Sequence, residues 1–203
     1  MSRLEKYFVN RRQRGPRNDA LIERALAKVD KSDIREVLEI GCGVGHTAHF
    51  LRGEFDFSLH GVDIDAEQIA KATQAYGGDP KLRFHVADAT ALWFSDASFD
   101  TVVAQNTLHH ISRWESALEE VARVLRPGGL LVWQDFAVRE WALPLASPLR
   151  ACAGVYSLAE VRRRLAARGV HQRVHERANR GIFERHDLVM QKLSVHGNLP
   201  ALV

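Results

Sequence analysis

Gly41, Gly43 and Gly45 stand at alternate positions directly after the apolar run Val37-Leu38-Glu39-Ile40. Glycine permits tight turns and lets a ligand come close to the backbone. A glycine loop between a strand and a helix cradles a nucleotide-like molecule at the strand's carboxyl end. A dinucleotide loop reads G-x-G-x-x-G, and a phosphate loop ends in Gly-Lys-Ser/Thr. Here the third glycine comes one residue early, His46 stands where the dinucleotide pattern has glycine, and no such lysine follows. Glu39 would repel a pyrophosphate and suits a cationic amino-acid moiety. Asp63, 22 residues after Gly41, ends the next apolar run and offers two acceptor oxygens to the hydroxyls of a ribose. Asp88 follows the run Leu82–Ala87, where it either meets a ligand or caps a turn. His109 and His110 follow the run Thr101–Ala104 and titrate near neutrality, which makes them candidates for a general base. Adjacent residues at a helix start point about 100° apart, so at most one of the two is expected to face a site.

The elements that position these groups alternate. Short apolar runs read as buried parallel strands: Arg35–Ile40, Phe55–Asp63, Leu82–Ala87, Thr101–Ala104 and Leu130–Phe136. Helical periodicity lies between them, over 46–52, from the Asp65 cap to Tyr76, and over 113–125, where Arg126-Pro127-Gly128-Gly129 makes an abrupt stop. Asn18 is expected to cap an earlier helix through Val29, and Tyr7 and Phe8 either form a lid or a small satellite cluster. Residues 137–156 give little signal around Pro144 and Pro148. Ser157 with Glu160 forms a capping box for a helix to Arg168. Two β segments, 170–176 and 182–193, come before a loose tail. Strand–helix alternation predicts a parallel α/β sheet.

Composition sets bounds. Of 203 residues, 46% are hydrophobic and 26% charged, the proportions of a globular protein with one sizeable core. No run approaches the roughly 20 apolar residues of a membrane span, and the first residues lack the apolar core of a secretory signal; a cytoplasmic setting is expected. Cys42 and Cys152 have no metal-ligand spacing and build no disulfide framework, so no metal site is expected. Cys42 reads as a small filler in the glycine loop. Lys and Arg outnumber Asp and Glu by 10 to 5 in residues 1–35 and by 11 to 5 in residues 136–203, while residues 36–135 hold 7 against 15. An acidic centre suits a cationic ligand.

Taken in order, these runs resemble the class I S-adenosylmethionine-dependent methyltransferases. Val37 to Gly45 is similar to their first motif, His60-Gly61-Val62-Asp63-Ile64-Asp65 to the second, and Ala87-Asp88-Ala89 to the adenine-contacting segment. Phe99 to Val103 with Leu108-His109-His110-Ile111, then Arg123 to Leu131, resemble the later motifs. The likeness is dense over about 35–136 and loose beyond. It implies a doubly wound, Rossmann-like, seven-stranded and mostly parallel sheet with helices on both faces and a reversed last strand. It implies one domain over 1–203: a helical cap at 1–34, a cofactor-binding core at 35–136, and a substrate-side helix with closing strands at 137–203.

The resemblance also implies S-adenosylmethionine as cofactor, leaving as S-adenosylhomocysteine. Gly41, Cys42, Gly43 and Gly45 would pass its methionine and ribose portion, with Glu39 near the amino group. Asp63 would hold the ribose hydroxyls and Ile64 would pack on adenine. Asp88 would accept from the adenine amino group, Ala89 would offer its N–H, and Gln105 would lie beside the methionine moiety. Asp100 is expected to be structural because it precedes the fourth strand. The Pro-Pro-Tyr/Trp motif of DNA base methylation is absent; Gln105-Asn106-Thr107-Leu108 stands there. A small-molecule acceptor leads. Arg11, Arg12, Arg14 and Arg162 to Arg164 leave an anionic acceptor or RNA open. A nicotinamide dehydrogenase and a catalytically silent cofactor-binding protein are the rival classes, and oligomeric state is not legible.

Overall fold

The computed structural model describes residues 34–146, 148–149 and 153–194. The helix expected over 18–29 and the pair Tyr7 and Phe8 lie outside the described residues. Along the chain run β1 (Glu36–Ile40), α1 (His46–Glu54), β2 (Ser58–Asp63), α2 (Ala66–Tyr76), β3 (Leu82–Val86), β4 (Phe99–Gln105), α3 (Trp114–Val124), β5 (Leu125–Val138), α4 (Leu143–Ala146), α5 (Leu158–Ala167), β6 (Val170–Arg180) and β7 (Phe183–Lys192). Single 3₁₀ turns cover Leu108–His110 and Glu140–Ala142.

The strands form one seven-stranded sheet in the order β3-β2-β1-β4-β5-β7-β6. The first five strands pair in parallel, and β7 runs antiparallel to both of its neighbours, β5 and β6. Chain order reverses between β1 and β4, and ligands of open α/β sheets bind outside the strand ends at such a switch point. Both faces are covered. On one, Leu38, Val102, Leu131, Trp133, Leu188 and Met190 pack with α3 (Leu118, Val121) and α5 (Val161, Leu165). On the other, Val37, Leu59, Val103, Val132 and Val189 pack with Ala48 and Leu51 of α1. Each such fully buried aliphatic side chain contributes roughly 2 kcal/mol. No helix among the described residues is long and apolar enough to cross a membrane.

Two boundaries differ from the sequence expectation. Asp100 lies inside β4 and not before it. Its carboxylate accepts from the Arg35 and Glu36 N–H groups, both at 2.9 Å, and from Arg126 at 2.6 Å, so it clamps the starts of β1 and β5 to β4. Pairing of β5 begins at Leu125, opposite Phe99, and shifts register before resuming at Thr101–Leu130. Pro127 brings no N–H to a ladder and Gly128 sits at φ 84°, which makes the expected stop a bulge within the strand.

Helix starts follow their caps. Asp65 accepts from the Glu67 and Gln68 N–H groups, and Ser157 and Glu160 exchange side-chain-to-backbone bonds at the head of α5. Replacing Ser157 with alanine is expected to cost about 1 kcal/mol. Thermal unfolding should then show a midpoint lower by about 2–4 °C.

Candidate active site

The turn after β1 is closed by the Gly41 and Cys42 N–H groups, which donate to Val62 O at 2.8 and 3.0 Å. Gly41 and Gly45 have φ of 70° and 80°, a region that L side chains rarely enter. A Cβ on Gly41 would sit 2.3 Å from Thr107 Oγ1, and one on Gly45 would sit 2.7 Å from the Phe84 ring. The loop is therefore wedged between the turn after β4 and the ring of β3. Asp63, at the end of β2, accepts from Gly43 N at 3.0 Å and from Asp65 N at 2.9 Å. Burial raises its pKa, and these backbone donors hold the shift back.

A cleft of about 960 Å³ opens over these strand ends, within the range of small-ligand sites. Its walls include Gly41, Gly43, Asp63, Ile64, Asp88 and Ala89. Ile64 is 71% exposed, an apolar plate in an otherwise acidic corner. Asp88 Oδ1 accepts from Thr90 N at 2.8 Å and Oδ2 meets Arg113 at 3.3 Å. The Thr90 N–H leads in holding its pKa below the usual range. Asp88 thus caps a turn and lines the cleft at once. Carboxylate acceptors flanking apolar surface match a ligand with hydroxyl and amino donors on a flat ring.

Across the cleft, the turn Leu108–His110 is built on Asp135. This residue of β5 is fully buried. Its Oδ2 accepts from the N–H groups of Thr107 (3.1 Å), Leu108 (2.7 Å) and His109 (3.3 Å), and its Oδ1 from Phe136 N (2.8 Å) and the His109 ring Nδ1. An ionised carboxylate only accepts, so His109 carries its proton on Nδ1 and keeps Nε2 as its basic nitrogen. Buried Tyr156 has its hydroxyl pKa raised by desolvation and the Asp135 charge. His109 and His110 both line the cleft, their ring centroids 3.9 Å apart. Both thus line the cleft, where at most one was expected to face it: the 3₁₀ turn sets their rings side by side at a tilt of 43°.

The other expected residues lie behind the cleft wall. Glu39 is buried in β1. Cys42 is buried, and its Sγ would lie 3.0 Å from a Cβ on Gly61; burial, then Glu39 and Asp63, push its thiol pKa up, consistent with a filler. Gly45 starts α1. Gln105 is buried and accepts from Thr47 Oγ1 at 3.2 Å. Sequence reasoning missed Asp135, although an acid within the buried run Leu131–Phe136 was a visible signal. It also missed Asn106, a cleft residue at φ 48°, and Arg113.

Residues 38–133 match the family model described as a methyltransferase domain. The likeness to methyltransferase domains thus covers a little under half of the chain. Over 104 residues the chain is 36% identical to the 2-methyl-6-phytyl-1,4-hydroquinone methyltransferase of Synechocystis sp., covering 51% of this chain and 33% of that protein. Over another 104 it is 41% identical to the 27-O-demethylrifamycin SV methyltransferase of Amycolatopsis mediterranei, covering 49% and 38%. The chain thus spans a third to two fifths of the length of these two relatives. A putative sarcosine dimethylglycine methyltransferase from Galdieria sulphuraria shares the fold, with TM-score 0.75 at 15% identity over 87% of this chain and 86% of that one. Within this fold, the cleft lies at the β1/β4 switch point.

Proposed function

We propose that the protein is an S-adenosylmethionine-dependent methyltransferase that acts on a hydroxyl group of a small-molecule acceptor. The observation that carries this is the His109–Asp135 pair set in the same cleft as Asp63 and Ile64. The cofactor fits the donor set: Asp63 has oxygens for two ribose hydroxyls, Ile64 offers an apolar plate for adenine, and Asp88 and Ala89 would meet the adenine edge. Gly41 and Gly43 bring bare backbone to the remainder, with Glu39, Cys42, Gly45 and Gln105 supporting it from behind. When bound, the cofactor supplies an electrophilic methyl on a sulfonium centre.

The chain's own residues then do three things. The cleft aligns the acceptor and excludes water, which lowers the barrier of a displacement that needs little covalent help. His109 Nε2 takes the proton of the acceptor hydroxyl. Asp135 keeps the imidazole in the competent tautomer and stabilises its charge once protonated. With these go one domain over 1–203 and a cytoplasmic setting.

The test joins calorimetry with S-adenosylmethionine and S-adenosylhomocysteine to transfer of labelled methyl onto a panel of phenols and alcohols. His109→Ala should bind S-adenosylhomocysteine within about threefold of wild type and lose about 10²–10⁴ in turnover. Binding with no transfer to any acceptor would make this a silent cofactor-binding protein, and tighter binding of NAD would make it a dehydrogenase. Salt-sensitive retention of RNA would move the acceptor to nucleic acid.

A further inference from the structure

The segment after β5 has its polarity turned inside out. Ala142 and Ala146 point inward and pack with Val138 and Val155. Trp141 and Leu145, four residues apart, and Leu149 face outward at 63, 75 and 53% exposure. Helical segments on a protein surface ordinarily bury the large side chains and expose the small ones. Arg139 N donates to Ile182 O at 3.0 Å, which brings Ile182 and Phe183, 43 and 42% exposed, to the same corner. Arg139 and Arg177 share Glu184 at this corner. Large contiguous apolar surface of this kind marks a binding surface.

This panel is continuous with the cleft. Ala153 lines the cleft, and its N–H donates to Leu149 O at 3.0 Å. Gly154 N donates to His109 O at 3.0 Å, and a Cβ on Gly154 would lie 2.2 Å from Leu108 O. The segment is therefore clamped directly onto the histidine turn. The Phe136 ring also meets His109, nearly perpendicular to it with 5.9 Å between centroids. The five exposed side chains offer roughly 500 Å². A stable interface with a second copy needs about 800 Å² per partner, so a ligand suits the panel better than a dimer.

We propose that this panel is the acceptor subsite, and that the acceptor is a hydroxy compound carrying an extended hydrocarbon chain. The hydroxyl meets His109 while the chain lies over Trp141, Leu145 and Phe183. This rests on the function proposed above.

A series of 4-alkylphenols with lengthening chains separates the two claims. With saturating S-adenosylmethionine, kcat/KM for labelled methyl transfer should rise by up to about fourfold per added methylene. The combined variant Trp141→Ser, Leu145→Ser, Phe183→Ser should lose that slope. It should still bind S-adenosylhomocysteine like wild type, which controls for folding. A flat dependence on chain length in wild type, with cofactor bound and transfer dependent on His109, overturns the subsite and leaves the function standing. Failure of the wild type to bind S-adenosylhomocysteine overturns the function itself. Two further results would also overturn the subsite: flotation with phosphatidylcholine vesicles that the variant abolishes, and a concentration-dependent dimer that the variant dissociates.

Discussion

Replacing Asp135 with asparagine should lower the melting temperature by roughly 5–10 °C and cut methyl transfer by about 10²–10⁴-fold. The carboxylate is fully buried and accepts from four backbone N–H groups as well as the His109 ring. Asparagine keeps the size but turns one oxygen into a donor. If the amide nitrogen faces Thr107, Leu108 and His109, three buried N–H groups confront a donor. If it faces the other way, the conflict falls on Phe136 N and His109 Nδ1. Each buried group left unsatisfied costs about 1–3 kcal/mol. The second orientation also releases the hold on the His109 tautomer, and both remove the charge that stabilises the protonated ring. Thermal unfolding followed by circular dichroism reads the first loss and single-turnover transfer reads the second. His109→Ala, which removes only one of the donors, should lower the midpoint much less. Equal midpoints for the two variants would show that Asp135 does not organise the turn.

The fold was legible because its signals are local. A buried parallel strand is an apolar run, and β1, β2 and β3 each announce themselves that way. Asp65 and Ser157 sit where backbone N–H groups need an acceptor, so α2 and α5 begin where the sequence says. Asp63 could be found because it ends a strand at a fixed distance from the glycine turn. Asp135 shows in the sequence only as an acid in an apolar run; its role could not be read, because its partners Thr107 to His109 lie 26–28 residues away. Only the parallel register of β4 on β5, with Gln105 opposite Gln134, brings them together. Gln105 shows a complementary limit: its place at the end of β4 says nothing about which way the side chain turns, and it accepts from Thr47 Oγ1. Residues 141–149 were obscure because Pro144 and Pro148 break the periodicity and the alanines, not the large side chains, carry the buried face.

Removing the Asp63 carboxylate should abolish cofactor binding. Asp63→Ala is expected to weaken S-adenosylhomocysteine by at least about 10²-fold, since two charge-assisted hydrogen bonds at roughly 1.5–3 kcal/mol each are lost. One oxygen now holds Gly43 N–H and the other holds Asp65 N–H, and each keeps a lone pair for a ribose hydroxyl. The substitution therefore also unties the glycine loop. Asp63→Asn, with one acceptor left, should lose only about tenfold. The pH dependence has a definite sign. Burial raises the Asp63 pKa, so on acidification it takes up its proton earlier than an exposed aspartate would. A protonated carboxyl is a poorer acceptor for two hydroxyls, and affinity should decline as pH falls toward the carboxylate range, beginning above an exposed aspartate's ordinary pKa. Asp63→Asn removes the titrating group, so its affinity should be flat over the same interval. Isothermal titration of S-adenosylhomocysteine against wild type and both variants decides. Should Asp63→Ala bind within about threefold of wild type, the adenosine does not sit on this strand end and the cofactor assignment fails with it.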